Sequence, residues 1–515
     1  MKKIFGQDKA VASESVLLKY LIVLAAAGAL YVFTCAPAIL WQDSGMIQYR
    51  VWHNDIEGGL GLALSHPLFY ILAIVAKYVP LGEFAYRVNL VSAIAAAVAV
   101  ANLFLLVRLW LGRNFPAVIA AVTFALSHTF WRHACIAETY SLYIALLSAE
   151  LIMLLQYSRT GRVGFLYWLG LFNGLAIADH MFASIPLLCY AAFIVVLLVK
   201  KHLHFRQLAI IILLWVVGAL PYEYLIIKNI IQTGDLAGTL ASAAFGNSWQ
   251  GAVFNTSLSL KIVKENILFL LLNFPTPNSL LFFVGLFALR KYSSEKAFSN
   301  IILALLILFF LFAFRYTVPD RYAFFIPFYC VVSIFAGLGT HFLQRRINHQ
   351  VFVCLVLILS LLPVPVYAIV PVVAEKMAFN LGTRREIPYR NEYRYFLCPW
   401  KTGYRGADRF ADEALALVEN NAIIYADSTV AYVLLYAQQV EQKRRDVKIV
   451  SGRDSSEGAP VLNENTVAGL MAGSALYVVS PVEGYCLPFL LENYDFVQAG
   501  GVLWRVVGRA GNNGK

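Results

Sequence analysis

The 515-residue sequence is poor in charge. Asp, Glu, Lys and Arg together make up 14% of it, whereas 60% of its residues are hydrophobic and 14% are aromatic. Soluble globular domains carry about 25% charged residues. The shortage therefore excludes an ordinary soluble protein and predicts a polytopic α-helical membrane protein.

Several site signatures are missing too. The seven cysteines form no CxxC pair or other metal-ligand spacing, and most lie in apolar runs where a thiol packs as a small apolar group. The histidines show no HxxxH spacing, so we predict no bound metal. There is no GxGxxG, no GxxxxGK and no fixed-period repeat, so nucleotide binding has no support. Only Cys398 and Cys486 share the C-terminal tail, where a disulfide and two free thiols both remain open.

Long apolar runs are abundant in the sequence. Each is near the ~20 residues that an α-helix needs to cross a bilayer. We predict eleven crossings, at residues 17–40, 86–108, 114–131, 139–157, 163–179, 181–199, 207–227, 266–289, 298–314, 321–343 and 350–370.

The charged residues sort between the two sides of these crossings. Short loops on one side carry basic residues, among them Arg108, Arg159, Lys200 and Arg345, and the positive-inside rule makes that side cytoplasmic. Most carboxylates fall on the other side, and an odd number of crossings places the tail there as well. The net charge of +11 is therefore interpreted as membrane topology, and no nucleic-acid partner is expected.

The chain divides into a membrane region, residues 1–370, and a soluble tail, residues 371–515, which is long enough for one domain. The membrane region has two long external loops, at about 41–85 and 228–265. In the tail, RGADRFADEALALVENN and STVAYVLLYAQQVEQKRR have the period of amphipathic helices. AIIYAD, VKIVSG, ALYVVSP and GGVLWRVVG are typical of strands. We predict an extracytoplasmic α/β domain.

Five external segments place polar groups at or just below the membrane surface: WQDSG, LSHP, FWRHACIAETYSLY, IADHMF and YTVPDRYAFF. Ionisable groups at membrane depth are costly, which favours a shared functional cavity. Asp43 fits a general base or an ordinary aspartate that caps the next helix. Glu138 fits a second acid or a first-turn acid favoured by the helix dipole.

The cations of this side have two interpretations each. Arg132 and Arg321 could reach lipid headgroups, or bind the phosphate of a lipid-linked substrate through paired hydrogen bonds. His66, His133 and His180 could be structural, or could assist a leaving phosphate.

Taken in order, these motifs resemble a bacterial and eukaryotic family of protein O-mannosyltransferase-like membrane proteins, part of the C-type (GT-C) glycosyltransferase superfamily. The resemblance rests on Asp43-Ser44-Gly45, Ser65-His66-Pro67, YRVNLVSAI at 86–94, FWRHACIAETYSLY at 130–143, NGLAIADH at 173–180, LPYEYLIIKNIIQTGD at 220–235 and DRYAFFIPFY at 320–329. It continues in the tail through NNAIIYADSTVAYVLLYAQQVEQKRRDVKIVSG.

The resemblance implies a GT-C fold of roughly a dozen helices and transfer of a sugar, with inversion, from a polyprenyl-phosphate donor to a hydroxyl. Asp43 would be the catalytic base, and Glu138 with Arg132 and His133 would match the second motif. Relatives often have two adjacent acids in the first loop, but here Ser44 follows Asp43. A second acid would have to be Glu138 or one of the acceptor-binding candidates, Asp55 and Glu57.

The hypothesis is a glycosyltransferase of the bacterial inner membrane whose site and tail face the periplasm. It would take mannose or another hexose from a lipid-linked donor to a protein, lipid or glycan acceptor, with no cofactor. Arg132, His133, Arg321, His66 and His180 are the candidates for holding the donor phosphate. A transporter or flippase of a lipid-linked intermediate is the alternative, and a membrane scaffold that displays the tail is a third.

Overall fold

The computed structural model of the chain describes residues 4–246, 250–253, 255–292, 295–318, 320–347, 349–382 and 386–508. Within them, the first 376 residues form eighteen α-helices joined by loops and short 3₁₀ turns. These helices are α1 (Ile4–Thr34), α2 (Gln42–Trp52), α3 (Pro67–Val75), α4 (Phe84–Leu111), α5 (Asn114–Ala125), α6 (His128–Ala134), α7 (Tyr140–Thr160), α8 (Gly164–Asp179), α9 (Ser184–Val199), α10 (Phe205–Thr233), α11 (Leu236–Phe245), α12 (Gln250–Val253), α13 (Leu260–Asn273), α14 (Leu280–Tyr292), α15 (Lys296–Arg315), α16 (Ile326–Leu343), α17 (His349–Leu361) and α18 (Pro363–Lys376).

The chain is a multi-pass membrane protein. Among the described residues, eight helical segments are long and apolar enough to cross a bilayer, and a bent pair of helices raises the number to nine. Two further predicted crossings, 114–131 and 163–179, correspond to α5 and α8, which have 12 and 16 residues. The predicted total of eleven therefore stays a prediction.

Two differences between predicted crossings and observed helices lie at prolines. The predicted span 17–40 ends at Thr34, because Pro37 disfavours helical backbone at the residue before it. The predicted span 266–289 is two helices, α13 and α14, that meet at 106°. Pro275 and Pro277 lie at the break, and proline has no N–H to donate to a continuing helix.

Glycines allow two of the membrane helices to touch. Gly285 of α14 faces Gly339 of α16, and a Cβ atom on Gly339 would collide with the backbone oxygen of Leu281. Without a hydrophobic driving force between helices in lipid, close contact of this kind is a main source of association. α16 is consequently almost wholly buried inside the bundle.

The first external loop forms α2 and α3, and α3 begins directly after Ser65-His66. The second, at 228–265, contains α11 and α12, and its residues 247–249 and 254 lie outside the described part of the chain.

The C-terminal region forms a layered α/β structure, as predicted. Its helices are α19 (Glu392–Leu397), α20 (Gly406–Leu417), α21 (Ala431–Gln439), α22 (Val467–Gly473) and α23 (Pro488–Asn493). Its strands are β1 (Ile423–Tyr425), β2 (Lys448–Val450), β3 (Leu476–Val478), β4 (Tyr494–Ala499) and β5 (Leu503–Gly508).

The five strands form one sheet in the order β2-β1-β3-β5-β4. β1 pairs in parallel with β2 and β3, whereas β5 pairs antiparallel with β3 and β4. The sequence predicts four of these strands. It misses β4, an edge strand with exposed residues at Asp495, Val497 and Gln498, because its apolar alternation breaks down in that half.

The C-terminal region shares a hydrophobic core with the first external loop. Ile39, Leu40 and Ile47 are buried in one cluster with Leu434 and Leu435 of α21. Hydrogen bonds cross the same contact: the Trp41 indole donates to the Tyr404 hydroxyl at 2.6 Å, and the Ala85 amide donates to the Tyr436 hydroxyl at 3.1 Å. The predicted domain boundary at 370/371 falls inside α18, and the division into two domains stays a prediction.

Candidate active site

A cavity of about 310 Å³ lies between the first external loop, the ends of several membrane helices and a loop of the C-terminal region. Three carboxylates line it, Asp43, Glu138 and Asp320, together with the imidazoles of His66 and His180. Most of the remaining surface is apolar and aromatic, including Ile47, Ile185, Phe182, Phe312 and Phe324.

The cavity lies at the end of the bundle opposite the basic loops. Its residues Tyr140 and Ser184 begin α7 and α9, whereas Arg159 lies in the last turn of α7 and Lys200 follows α9. Three of the carboxylates that the sequence sorts to one side of the membrane, Asp43, Glu138 and Asp320, thus meet here.

Asp43 is in the first turn of α2, where the helix dipole favours a negative charge. It is not at the exit of the first membrane helix, because α1 ends at Thr34 and the irregular residues 35–41 separate the two helices. The Asp43 side chain is solvent-accessible in the cavity but enclosed by the surrounding protein. This enclosure raises the pKa of Asp43, and the charge of Arg453 partly opposes the rise.

Glu138 and Asp320 come from separate parts of the chain. The backbone of Glu138 exchanges hydrogen bonds with the hydroxyl of Ser92 at 2.8 and 3.0 Å, which fixes its position before α7. Burial, then the charges of Asp43 and Asp320, raise the pKa of Glu138 well above its usual value. Burial and Asp43 raise the pKa of Asp320 to about 7. The ionisation of the three acids is therefore coupled.

His66 and His180 stand side by side, with ring centroids 4.9 Å apart. Nδ1 of His66 donates to the backbone oxygen of Asp179 at 2.6 Å, which leaves Nε2 as an acceptor. Nδ1 of His180 accepts from the Phe182 amide at 3.1 Å, so its Nε2 carries the proton. Burial lowers the pKa of His66 to about 4 and that of His180 well below its usual value, so both rings are neutral at pH 7.

His66 also has a left-handed backbone, with φ 53° and ψ 46°, directly before Pro67 of α3. A side chain in this region costs of order 1 kcal/mol or more and persists where the surroundings enforce it. The strained backbone aims His66 at His180 and the cavity.

Arg132 and His133 lie behind the cavity rather than on its surface. Arg132 is 4% exposed, donates to the Tyr322 hydroxyl and packs against the rings of Tyr395 and Phe396. Nδ1 of His133 donates to the backbone oxygen of Thr129 at 2.7 Å. Of the two, Arg132 is the one whose charge acts on Glu138.

Arg321 does not line the cavity either, although it follows Asp320 directly. Its guanidinium forms an ion pair with Glu265 and lies over the ring of Phe269. Arg321, which the sequence predicts to bind phosphate, is therefore already paired with a carboxylate of α13.

Asp55 and Glu57 hold the first external loop in shape and are not among the residues that line the cavity. Asp55 pairs with the buried Arg50 at 3.0 Å and accepts from the amides of Glu57 and Gly58. Glu57 pairs with Lys228 of α10 at 2.6 Å. These contacts give both acids a structural task, whereas the sequence suggests acceptor binding.

Two charged residues of the cavity, Asp320 and Arg453, are not among the site residues that the sequence predicts. Asp320 stands in the polar segment YTVPDRYAFF, of which the sequence favours Arg321 because a cation suits a phosphate. Arg453 gives no local signal, since its place beside Asp43 results from the docking of the C-terminal region. Neither Cys398 nor Cys486 is in a disulfide.

The described residues contain no group of three or more His, Cys, Asp or Glu side chains placed to hold a metal ion. The absence of a cofactor stays a prediction from the sequence.

Residues 63–205 match the family model described as "Protein O-mannosyl-transferase TMEM260 N-terminal domain". Among curated proteins, the mouse (Mus musculus) "Protein O-mannosyl-transferase TMEM260" is 28% identical over 216 residues. That match covers 41% of this chain and 30% of the mouse protein. The comparisons confirm the resemblance to protein O-mannosyltransferase-like proteins.

Two solved structures have the same fold. Both are of ArnT from Cupriavidus metallidurans, and each is 14% identical to this chain. ArnT bound to undecaprenyl phosphate superimposes with a TM-score of 0.59 over 96% of this chain and 99% of ArnT. The apo form gives 0.60 over 96% and 98%. These values confirm the predicted GT-C fold.

Proposed function

We propose that the chain is a membrane glycosyltransferase. It moves a sugar, mannose or another hexose, from a polyprenyl-phosphate donor to a hydroxyl of a protein, lipid or glycan acceptor, with inversion. The observation that carries this proposal is the cavity that gathers Asp43, Glu138 and Asp320 at one end of the membrane helices. The resemblance to the mouse O-mannosyl-transferase and the fold shared with lipid-phosphate-bound ArnT support it.

The position of the cavity suits a substrate that is half lipid and half sugar phosphate. Its aromatic and aliphatic surface, with Phe312 and Phe324 at the ends of membrane helices, accommodates apolar groups near the bilayer. Its carboxylates accept hydrogen bonds from sugar hydroxyls. A polyprenyl chain can therefore stay in the membrane while its head reaches Asp43.

In this account Asp43 is the base. It accepts the proton of the acceptor hydroxyl, whose oxygen forms the new bond to the anomeric carbon as the bond from that carbon to the phosphate oxygen breaks. The electron pair of the broken bond stays on the polyprenyl phosphate. The raised pKa of Asp43 makes its carboxylate a stronger base than an ordinary aspartate. The Nε2–H of His180 can donate a hydrogen bond to an oxygen of the donor.

Arg132 and His133 can act on the donor phosphate only through their neighbours, because neither lines the cavity. The His133 ring packs against Tyr140, which does line it, and Arg132 donates a hydrogen bond to the Tyr322 hydroxyl. Arg321 would serve only after releasing Glu265. We place the site on the periplasmic face of a bacterial inner membrane, since the basic ends of the helices face the other way.

A transfer assay tests the proposal. The wild-type protein in nanodiscs receives polyprenyl phosphates that carry radiolabelled mannose or another hexose, with membrane and periplasmic extract as the acceptor source. Label should move to a protein, lipid or glycan fraction while free polyprenyl phosphate appears in equal amount. If no donor gives transfer but fluorescent polyprenyl-phosphate sugar crosses proteoliposome membranes, the protein is a flippase instead.

A further inference from the structure

The cavity has more acidic than basic side chains, which is unfavourable for binding a phosphate. Three carboxylates line it, and His66 and His180 add no positive charge at neutral pH because burial keeps the pKa of both rings low. A phosphate that approaches an ionised carboxylate such as that of Asp43 is repelled unless a cation compensates. Among the described residues that line the cavity, the single Arg or Lys is Arg453.

Arg453 belongs to the C-terminal region, in the loop that follows β2. This loop is held by its own hydrogen bonds. The hydroxyl of Ser451 donates to the backbone oxygen of Asp454 at 2.5 Å and accepts from the Arg453 amide at 3.2 Å. The Oγ atom of Ser456 accepts a hydrogen bond from the Ile449 amide at 2.8 Å. This bond ties the end of the loop to β2.

The same loop is tied to the helix that carries Asp43. The Tyr432 hydroxyl of α21 donates to the carboxylate of Asp454 at 2.7 Å. The ring of Tyr432 packs against the ring of Tyr49 on α2, with centroids 5.6 Å apart. These contacts hold the backbone of Arg453 close to the helix of Asp43, although the two residues are far apart in the sequence.

The guanidinium of Arg453 is available for a ligand. Its side chain is exposed, and no described residue forms an ion pair or a hydrogen bond with it. It is nevertheless close enough to Asp43 to act on the ionisation of that carboxyl. A planar guanidinium donates paired hydrogen bonds to phosphate oxygens better than a lysine does.

We propose that Arg453 binds the phosphate of the lipid-linked donor, so that the C-terminal region completes the donor site. This inference rests on the proposed function and adds the residue that neutralises the leaving phosphate.

The test is a binding titration that needs no turnover. The full-length protein in detergent is titrated with undecaprenyl phosphate and, separately, with the uncharged undecaprenol, and native mass spectrometry gives the two Kd values. Arg453→Ala should weaken undecaprenyl phosphate roughly 10- to 100-fold, the loss expected from one charge-assisted contact. It should leave undecaprenol unchanged. The Kd of Arg453→Lys for undecaprenyl phosphate should lie between those of the wild type and Arg453→Ala.

Arg445→Ala is the matched control, because Arg445 is an exposed arginine of the same region that does not line the cavity. It should bind both lipids as the wild type does. An Arg453→Ala variant with the wild-type Kd for undecaprenyl phosphate would overturn the inference.

Kinetics separate the donor from the acceptor. Arg453→Ala should raise the donor KM and leave the acceptor KM unchanged, whereas a rise in the acceptor KM alone would also overturn the inference. Failure of the proposed function is a different result: the wild type would transfer no sugar from any donor. The binding titration would then still decide whether Arg453 holds a lipid phosphate.

Discussion

At the scale of single residues, the three carboxylates of the cavity act on one another. Asp43 raises the pKa of Asp320, and both raise that of Glu138. Because a proton shared among close acids belongs to the group, the removal of one acid changes the protonation of the others.

Arg453→Ala should shift the acidic limb of the pH profile of kcat/KM to higher pH. Asp43 acts as a base only when it is ionised, so activity is lost as pH falls through its pKa. The charge of Arg453 lowers the pKa of Asp43, and its loss lets Asp43 take up a proton at higher pH. The profile is measured with labelled donor between about pH 5 and 9. An unchanged limb, or a shift to lower pH, would contradict this electrostatic contact.

Asp55→Asn should lower stability and leave catalysis largely intact. The variant weakens the contact with the buried Arg50 guanidinium, for which about 1–2 kcal/mol of stability is expected. Tm in detergent should fall, while the acceptor KM stays within about twofold of the wild type. If Tm is unchanged and the acceptor KM rises, Asp55 binds the acceptor, as the sequence suggests.

The sequence predicts part of this site. Asp43, Glu138, His66 and His180 are all predicted candidates, and all four line the cavity, because helix ends at one membrane face have few places to put a polar group. Arg453 could not be predicted, since only the tertiary docking of a distant loop puts it there.

At the scale of elements, the long helices and buried strands follow from apolar runs and their period. The errors lie at breaks within them: Pro37 ends α1 early, and Pro275 and Pro277 split one predicted crossing into α13 and α14. A hydropathy window averages over about 19 residues. It therefore does not detect a single proline, whose missing N–H interrupts a helix.

Gly339→Leu should prevent the close packing of α14 and α16. Any side chain at this position meets the backbone of α14, so the helices must separate along their length. We expect loss of monodisperse protein in size-exclusion chromatography and a lower Tm. Gly164→Leu in α8 is the control, because nothing lies within 4 Å of a Cβ there. Equal yields and Tm values for the two variants would contradict the packing argument.

At the scale of the whole molecule, the cavity is built from both the membrane region and the C-terminal region. The shared core of α2 and α21 fixes one against the other. The length of the tail suggests an independent domain. Length alone cannot show that the apolar face of the tail packs against the first external loop.

Leu434→Asp should therefore abolish transfer although Leu434 does not line the cavity. The residue is fully buried in the shared core, and an unpaired buried charge costs several kcal/mol. The docking of α21 on α2, and with it the position of Asp43, should be lost. Val497→Asp is the control, a similar change at an exposed site of β4. Wild-type transfer by Leu434→Asp would show that the docking is dispensable.

The central claim is that Asp43 is the base of a sugar transfer. The most direct measurement compares wild type, Asp43→Asn and Asp412→Asn in the transfer assay with labelled polyprenyl-phosphate mannose. Asp412 is an exposed acid of α20 that pairs with Lys443 outside the cavity. We expect Asp412→Asn to match the wild type and Asp43→Asn, equally folded by Tm, to be slower by about 100-fold or more. Equal rates for all three proteins would contradict the claim.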